Sequence, residues 1–539
     1  MPSETLPLAD IQVIGTTRIF PESNVTSNVP RIVPLSIIDA TVAEFAPTAG
    51  TWIYDQPKEE LGKRALYVDQ LTLSLRKTLE AYPQWAGQLK WAAYHPDGDH
   101  TERFGRLVLS YGALTDPGVA LVIAQTSQPL ASIVPSAQDR KENNGFYDIK
   151  GLSKISFMTS EVPLALKQDH NNPPCLIVQI TSFACGGVSI SVKMAHAIAD
   201  AQTMVNFIHD WANVNLAMVS GTAAPRLTPV FNPSLLDNAA AGNKDDKKPD
   251  QNIIDIAAGL PLHRYDWWAS ADHCPPALAG STKIPQALEH TPVEPFGTPL
   301  PWDNWDLSSP VSDYLIHFTG QEIHSMWEEG SAQVSPTKIS HLDALLSHLW
   351  AAINRAKGLE DDPEDVSLDV TFDFRTRVEP PLSSRFTGSP ITLAGVSMSG
   401  AESCSMPLGQ RAARIRSTLN QLNTTTVPAL LHYYIHQVCP QRIWNTFLGL
   451  RNILTTSWLR LNVYGIDFGA GASPRYVQPL MPSIDGCLHI MEAQGSNFKD
   501  SSHTTGHWYE NGVGVRLHLE SNAMEKLLKD PLLRAHKKE

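Results

Sequence analysis

The stretch from Cys175 to Val214, CLIVQITSFACGGVSISVKMAHAIADAQTMVNFIHDWANV, decides how the rest of the chain is read. Leu176, Val178 and Ile180 alternate before the Gly186-Gly187 pair, and Val188, Ile190 and Val192 alternate after it. Side chains along a strand point to opposite faces, so this pattern predicts two strands joined by a tight turn. From Ala201 the period changes. Ala201, Met204, Val205, Ile208, Trp211 and Ala212 recur at three and four residues, which marks one face of a helix. His196 therefore falls where a buried strand gives way to a helix, a junction able to hold an imidazole rigidly beside a cavity. Asp200 falls at the helix start.

The chain has 539 residues, 42% hydrophobic and 18% charged, an ordinary globular composition with room for roughly two to four domains. A net charge of −13 argues against a general binder of nucleic acid or anionic membrane. A local cluster of Lys and Arg could still hold a small anion. The six cysteines are scattered without a Cys-x-x-Cys pair, which suits free thiols in a reducing compartment. The N-terminus, MPSETLPLADIQVIG, carries no basic segment followed by an apolar core, and no apolar run approaches the ~20 residues of a membrane span. The expectation is a soluble cytoplasmic protein with no nucleic-acid or membrane partner.

The segment SVKMAHAIADAQTM carries a His-x-x-x-Asp motif as His196 and Asp200. With its flanking strand and helix it resembles the BAHD family of acyl-CoA-dependent acyltransferases, in particular fungal relatives such as the trichothecene 3-O-acetyltransferases. Further segments carry the resemblance: a Pro-Leu-Ser-x-x-Asp entry from Pro34 to Asp39, the Pro83 to Gly87 helix end, and Ile339 to Trp350. Gly388-Ser389 stands where the family has Gly-Asn, and Asp467-Phe468-Gly469-Ala470-Gly471 matches the Asp-Phe-Gly-Trp-Gly motif with Ala470 replacing Trp. Ala201, after the motif Asp, replaces the usual Gly. The resemblance runs from near residue 35 to 532.

Between these segments the chain reads as alternating elements. Leu71, Leu75, Leu79 and Tyr82 share a helical face; Arg106 to Gln125 alternates as strands; DIKGLSKISF then leads back to the central stretch. From Val219 to about Ser312 periodicity fades, as expected of a long crossover whose charged NKDDKKPD portion is mobile and whose Trp267, Trp268, Trp302 and Trp305 pack onto the surface or, as the second reading, border the acceptor entrance. A strand near Tyr314–Thr319 and a helix carrying Leu342, Leu345, Leu346, Leu349, Trp350 and Ile353 open the second half, with Asp343 and His348 as surface or partly buried residues. VSLDVTFDFRTRVEPPL alternates as a strand placing Asp373, Arg375 and Arg377 on one side, and a helical region runs from Leu408 to about Leu431. The strand after ILTTSW is expected to end in the Asp467 motif. The resemblance implies an α/β (α+β) fold of two chloramphenicol-acetyltransferase-like domains, mixed sheets flanked by helices. Residues 1–220 form the first, 221–312 the crossover and 313–539 the second, with a channel between the two.

Acyl transfer from a thioester needs a base, orientation and charge stabilisation. A thiol leaving group has a pKa of roughly 8.5, so it departs without strong acid help. Histidine titrates near neutrality, which fits His196 as the base. Asp200 at a helix start suits a cap or an ion pair better than a catalytic dyad. In the family its counterpart forms a structural ion pair with an Arg, and here the partner would be Arg375, with Arg377 second. The resemblance also implies that Thr456 and Trp458 approach the reacting centre. It implies that Asp467, Gly469 and Gly471 shape a supporting turn, and that Lys338, Ser335 and Ser389 line the donor side. Acyl-CoA, first of all acetyl-CoA, would be a co-substrate, the acceptor a small hydroxylated metabolite, and the enzyme a monomer. His196 and Asp200 lack further ligands at metal spacing, and no Gly-x-Ser-x-Gly elbow is present. The alternatives are a non-catalytic binding relative, which the Ala201 and Ala470 departures favour, and an N-acylating or condensation-type enzyme, although Ala195 stands where a condensation domain has a second His.

Overall fold

The computed structural model describes residues 11–22, 29–149, 158, 164, 173–291, 293, 296–494 and 507–537. The two strands of the deciding stretch, Leu176–Phe183 and Val188–Met194, pair antiparallel with Val178 opposite Val192 and Ile180 opposite Ile190. The turn closes through Phe183 N donating to the Gly187 carbonyl at 3.0 Å, and Gly186 takes φ +81°, a conformation that disfavours any side chain. Both strands are buried almost throughout, because they lie inside a sheet covered on its two faces.

Among the described residues that sheet has six strands, in the order Gln12–Ile19, Val119–Thr126, Leu176–Phe183, Val188–Met194, Thr48–Tyr54 and Tyr476–Pro479. Helices Val68–Leu79 and Ala201–Ser220 share its core. Leu71, Leu75, Leu79, Met204, Val205, Ile208 and Trp211 are all fully buried there, which is the outcome their spacing predicts.

A second sheet runs Ile391–Ser399, Asp365–Asp373, Asn452–Ser457, Cys487–Glu492, Val513–Glu520, Val311–Phe318 and Phe146–Asp148. Helix His341–Ala356 buries Leu345, Leu346, Leu349, Trp350 and Ile353 against it. Each sheet ends on a strand from the other half of the chain. Tyr476–Pro479 pairs with Thr48–Tyr54, and Phe146–Asp148 pairs with Val311–Phe318. The halves are thus joined by main-chain ladders as well as by the crossover.

Several local expectations change in the structure. The Arg106 to Gln125 alternation splits between sheets, Leu107–Tyr111 joining a small one with Arg31–Pro34 and Gln88–Trp91. The strand expected to carry Asp373, Arg375 and Arg377 ends at Asp373, and Arg375 lies in the turn beyond it. The expected helix from Leu408 is two, Leu408–Asn420 and Val427–Ile435. Asp343 is buried, capping its own helix through Ser340 and pairing with Arg416, while buried His348 bonds the Leu533 carbonyl at 3.0 Å. Of DIKGLSKISF only Asp148 and Ile149 belong to the described residues.

The crossover is packed, not loose. Helix Gln251–Ala258 lies on Val427–Ile435. The charged stretch is tied down by buried His100, whose Nδ1 is 2.6 Å from Asp245 and whose Nε2 is 3.3 Å from Asp237, and by a Lys247–Asp97 ion pair. Trp302 packs with Leu300 and Phe447, flanked by Trp267 and Trp305, and Arg442 lies 4.5 Å over Trp268 while pairing with buried Asp266. Among the described residues the six cysteines are free thiols, and no helix is long and apolar enough to cross a membrane.

Candidate active site

Strand Val188–Met194 delivers the chain to a single 3-10 turn, His196–Ile198, and Asp200 then caps helix Ala201–Ser220 by accepting from Thr203 N at 2.8 Å. The abrupt change of backbone leaves His196 only partly buried between two buried elements. Its Nδ1 lies 2.9 Å from the Ser389 hydroxyl, and its ring meets Phe45 edge-on at 5.7 Å. Phe45 in turn packs on Trp444, whose other neighbour is Trp267 of the crossover.

Ser389 is fully buried and is itself fixed. Its backbone N–H donates to Asp39 Oδ1 at 2.7 Å, while Asp39 Oδ2 accepts from the Ser36 amide at 3.1 Å and the Ser36 hydroxyl at 2.7 Å. Burial pushes the Asp39 carboxyl up to about 7, against the pull of those bonds. Gly388 precedes Ser389 with φ +145°, and a Cβ there would come within 3.1 Å of the Asp39 carboxylate and the Phe386 ring. A glycine is what lets the segment pass close enough to present Ser389.

The Asp200 carboxylate turns to Arg375, which donates to both oxygens at 2.6 and 3.0 Å. Arg375 also reaches Thr203 Oγ1 at 3.0 Å, Asp373 at 3.1 Å and the Phe386 carbonyl at 3.3 Å. Burial works against its charge, but Asp200 and then Asp373 outweigh that and raise the Arg375 pKa. Backbone bonds complete the clamp: Asp200 N and Thr203 Oγ1 both donate to the Gly388 carbonyl at 3.0 Å. The motif of the first half therefore grips the 386–389 segment of the second, and that segment carries Ser389 to His196.

Trp458, just past strand Asn452–Ser457, is buried, stacked on Trp52 and edge-on to His489, and a Cβ on Gly50 would approach its ring to 2.9 Å. Thr456 is partly buried on the strand, opposite His489 in register. The Asp467 motif lies in a loop and does not end a strand. Asp467 Oδ1 accepts from Gly469 N at 2.9 Å and Ala470 N at 2.7 Å, and Phe468 packs on Trp211 and Tyr54. A Cβ on Gly469 would touch Val219, near the far end of helix Ala201–Ser220, so this turn is about 28 Å from Asp200 along the helix. Lys338 and Ser335 are exposed in the turn after helix Gly320–Val334. Ser389, expected on the donor side, touches the histidine itself. Asp39 entered the sequence reading only as the last residue of the Pro-Leu-Ser-x-x-Asp segment, with no role given to it, and Phe45 was not singled out.

A sequence profile of the Transferase family matches residues 140–257 and 320–532, more than half of the chain, with His196 and Asp200 in the first block and the Asp467 motif in the second. The chain belongs to this family, the BAHD acyltransferases. As a BAHD protein it is an acyl-CoA-dependent transferase. It is 27% identical to acyltransferase AFT15-1 of Alternaria alternata, covering 97% of each chain. It is 24% identical to acyltransferase abl6 of Leptosphaeria maculans, covering 97% of this chain and 98% of that one. Among solved structures it resembles apo TRI101 of F. graminearum, with a TM-score of 0.62 and 14% identity over 94% of this chain and 98% of that one. It also resembles vinorine synthase, with a TM-score of 0.59 and 16% identity over 96% of each. Both are likenesses of fold.

Proposed function

We propose that the protein moves an acyl group, acetyl in the first instance, from coenzyme A to a hydroxyl of a small secondary metabolite, with His196 as general base in a ternary complex. The observation that carries this reading is the 2.9 Å contact between His196 Nδ1 and the Ser389 hydroxyl. A hydroxyl accepting from Nδ1–H fixes the tautomer in which Nε2 is the basic nitrogen. Nε2 takes the acceptor's hydroxyl proton as its oxygen bonds to the thioester carbonyl carbon. The tetrahedral oxyanion is stabilised by a donor, for which Thr456 is the candidate and Trp458 the shaping neighbour. Collapse breaks the C–S bond, and the imidazolium returns the proton to the departing thiolate, leaving an ester and coenzyme A.

In the same reading residues 1–220 and 313–539 are the two acyltransferase-like units joined by 221–312. Lys338 and Ser335 lie on the donor side, and the enzyme works as a cytoplasmic monomer without a nucleic-acid or membrane partner. A related fold supports the donor assignment: TRI101 of F. sporotrichioides has been solved with coenzyme A and T-2.

Thiol release from acetyl-CoA, followed across a panel of hydroxylated acceptors, tests the proposal. His196→Ala is expected to lose about a thousandfold in kcat while keeping its Tm and its stabilisation by acetyl-CoA. A folded His196→Ala variant that turns over like the wild type overturns it.

A further inference from the structure

Away from the candidate active site, a surface loop of the first half meets the crossover and brings Asp99, His100 and Asp245 together. One ligand atom from each lies within 4.8 Å of the other two. The loop joins strands Gln88–Trp91 and Leu107–Tyr111, and Asp245 comes from the charged stretch between helices Ser234–Asp237 and Gln251–Ala258.

A buried, aimed imidazole separates this group from a mere pair of surface carboxylates. The far nitrogen of His100, Nε2, lies 3.3 Å from Oδ2 of Asp237, a carboxylate that is buried in turn and whose Oδ1 accepts from Ile37 N at 2.8 Å. An Nε2–H held by a carboxylate fixes the ring and leaves the Nδ1 lone pair for a cation, the arrangement that stands behind metal-bound histidines. Nδ1 faces Asp245 Oδ1 at 2.6 Å, and the same oxygen accepts from the His100 amide at 3.1 Å. Asp99 Oδ1 is set by Thr101, whose amide and hydroxyl both donate to it at 2.7 Å.

The cations of the neighbourhood are engaged elsewhere. Arg106 donates to the carbonyls of His100, Phe104 and Ile435, and Arg103 to those of Asp246 and Ile435. Lys247 pairs with Asp97, and Lys244 bonds Asn238. Among the described residues no lysine or arginine forms an ion pair with Asp99 or Asp245.

We propose that Asp99, His100 and Asp245 bind one divalent ion of the zinc class, through His100 Nδ1 and a carboxylate oxygen of each aspartate, with water completing the shell. The ion takes the place of the hydrogen between Nδ1 and Asp245. Donors at about 2.1 Å from one ion stand about 3 Å apart, so Asp245 backs off slightly and Asp99 closes in, movements open to two exposed loop residues. A nitrogen with two carboxylates suits zinc and its first-row neighbours over magnesium and calcium, which take oxygen donors. The role is structural. The ion clasps the crossover to the first half and, through Asp237 and Ile37, to helix Ile37–Thr41, which carries Asp39.

Titration calorimetry of the whole chain, stripped with a chelator, tests it with Zn²⁺, Co²⁺ and Ca²⁺ as probes and needs no turnover. One Zn²⁺ per chain is expected, with a Tm that rises with Zn²⁺ concentration, and Co²⁺ is expected to show the visible absorption of a nitrogen-ligated ion. Ca²⁺ is expected to bind about a hundredfold more weakly. Asp245→Asn keeps an amide oxygen for both His100 bonds but loses the anionic ligand, and Asp99→Asn lies at the surface. Each is expected to weaken Zn²⁺ about tenfold or more while melting like the wild type in chelator. Wild-type affinity in both variants places the ion elsewhere and overturns the proposal. Should a variant fail to fold, the wild type still decides: no saturable Zn²⁺ binding, a Co²⁺ spectrum of oxygen ligands alone, or Ca²⁺ bound as tightly as Zn²⁺ also overturns it.

Discussion

Asp39 is fully buried beneath the candidate site, yet it takes three hydrogen bonds, from Ser389 and twice from Ser36. Burial wins over those bonds and lifts its pKa to about 7, against roughly 3.9 in an unfolded chain. The folded carboxyl therefore holds its proton more tightly than the unfolded one. Its contribution to stability is full below pH ~4 and is lost as pH rises through ~7. Asp39→Asn cannot ionise, so its Tm should fall less than that of the wild type between these values; parallel Tm curves would contradict the assignment. In the sequence Asp39 closes a segment that carries the family resemblance, but nothing there assigns it a task. A Ser-x-x-Asp pattern reads equally well as an ordinary helix cap, and only the arrival of Ser389, 350 positions away in the chain, gives it a second task.

At the scale of elements, the strand-turn-helix around His196 was readable because two periodicities meet within a few residues, and local pattern is what fixes such a junction. Arg375 was harder. Alternation suggested a strand position, but the strand stops at Asp373 and the side chain reaches Asp200 from a turn, where periodicity carries no information. The same limit applies to the Asp467 motif, whose loop is held by its own carboxylate, and to the crossover, whose charged stretch is anchored by a histidine far away in the chain. The Asp200–Arg375 pair is buried, bidentate and shared with Thr203 and the Phe386 carbonyl. Asp200→Asn leaves the guanidinium underpaired, and removing one partner of such a pair costs about 3–5 kcal/mol. The variant should show a lowered Tm together with reduced turnover. Native Tm with abolished turnover would instead make Asp200 part of the chemistry.

For the whole molecule, the two-sheet α/β architecture was what the family resemblance implied, carried by the His196 motif in the first half and the Asp467 motif in the second. The exchange of edge strands was not: a four-residue strand such as Tyr476–Pro479 has no pattern long enough to say which sheet it joins. Its consequence is that the first half supplies His196 and the second supplies Ser389, on a segment that Asp200 and Arg375 lock in place. On the proposed reading, the second half positions the His196 imidazole as the base. Steady-state kinetics of Ser389→Ala, with Tm as the control for folding, tests it most directly. A positioning residue predicts a fall in kcat of about a hundredfold at unchanged KM for acetyl-CoA, in a protein that melts like the wild type. A raised KM at wild-type kcat would make Ser389 a contact for the donor, and the histidine would have to owe its orientation to something else.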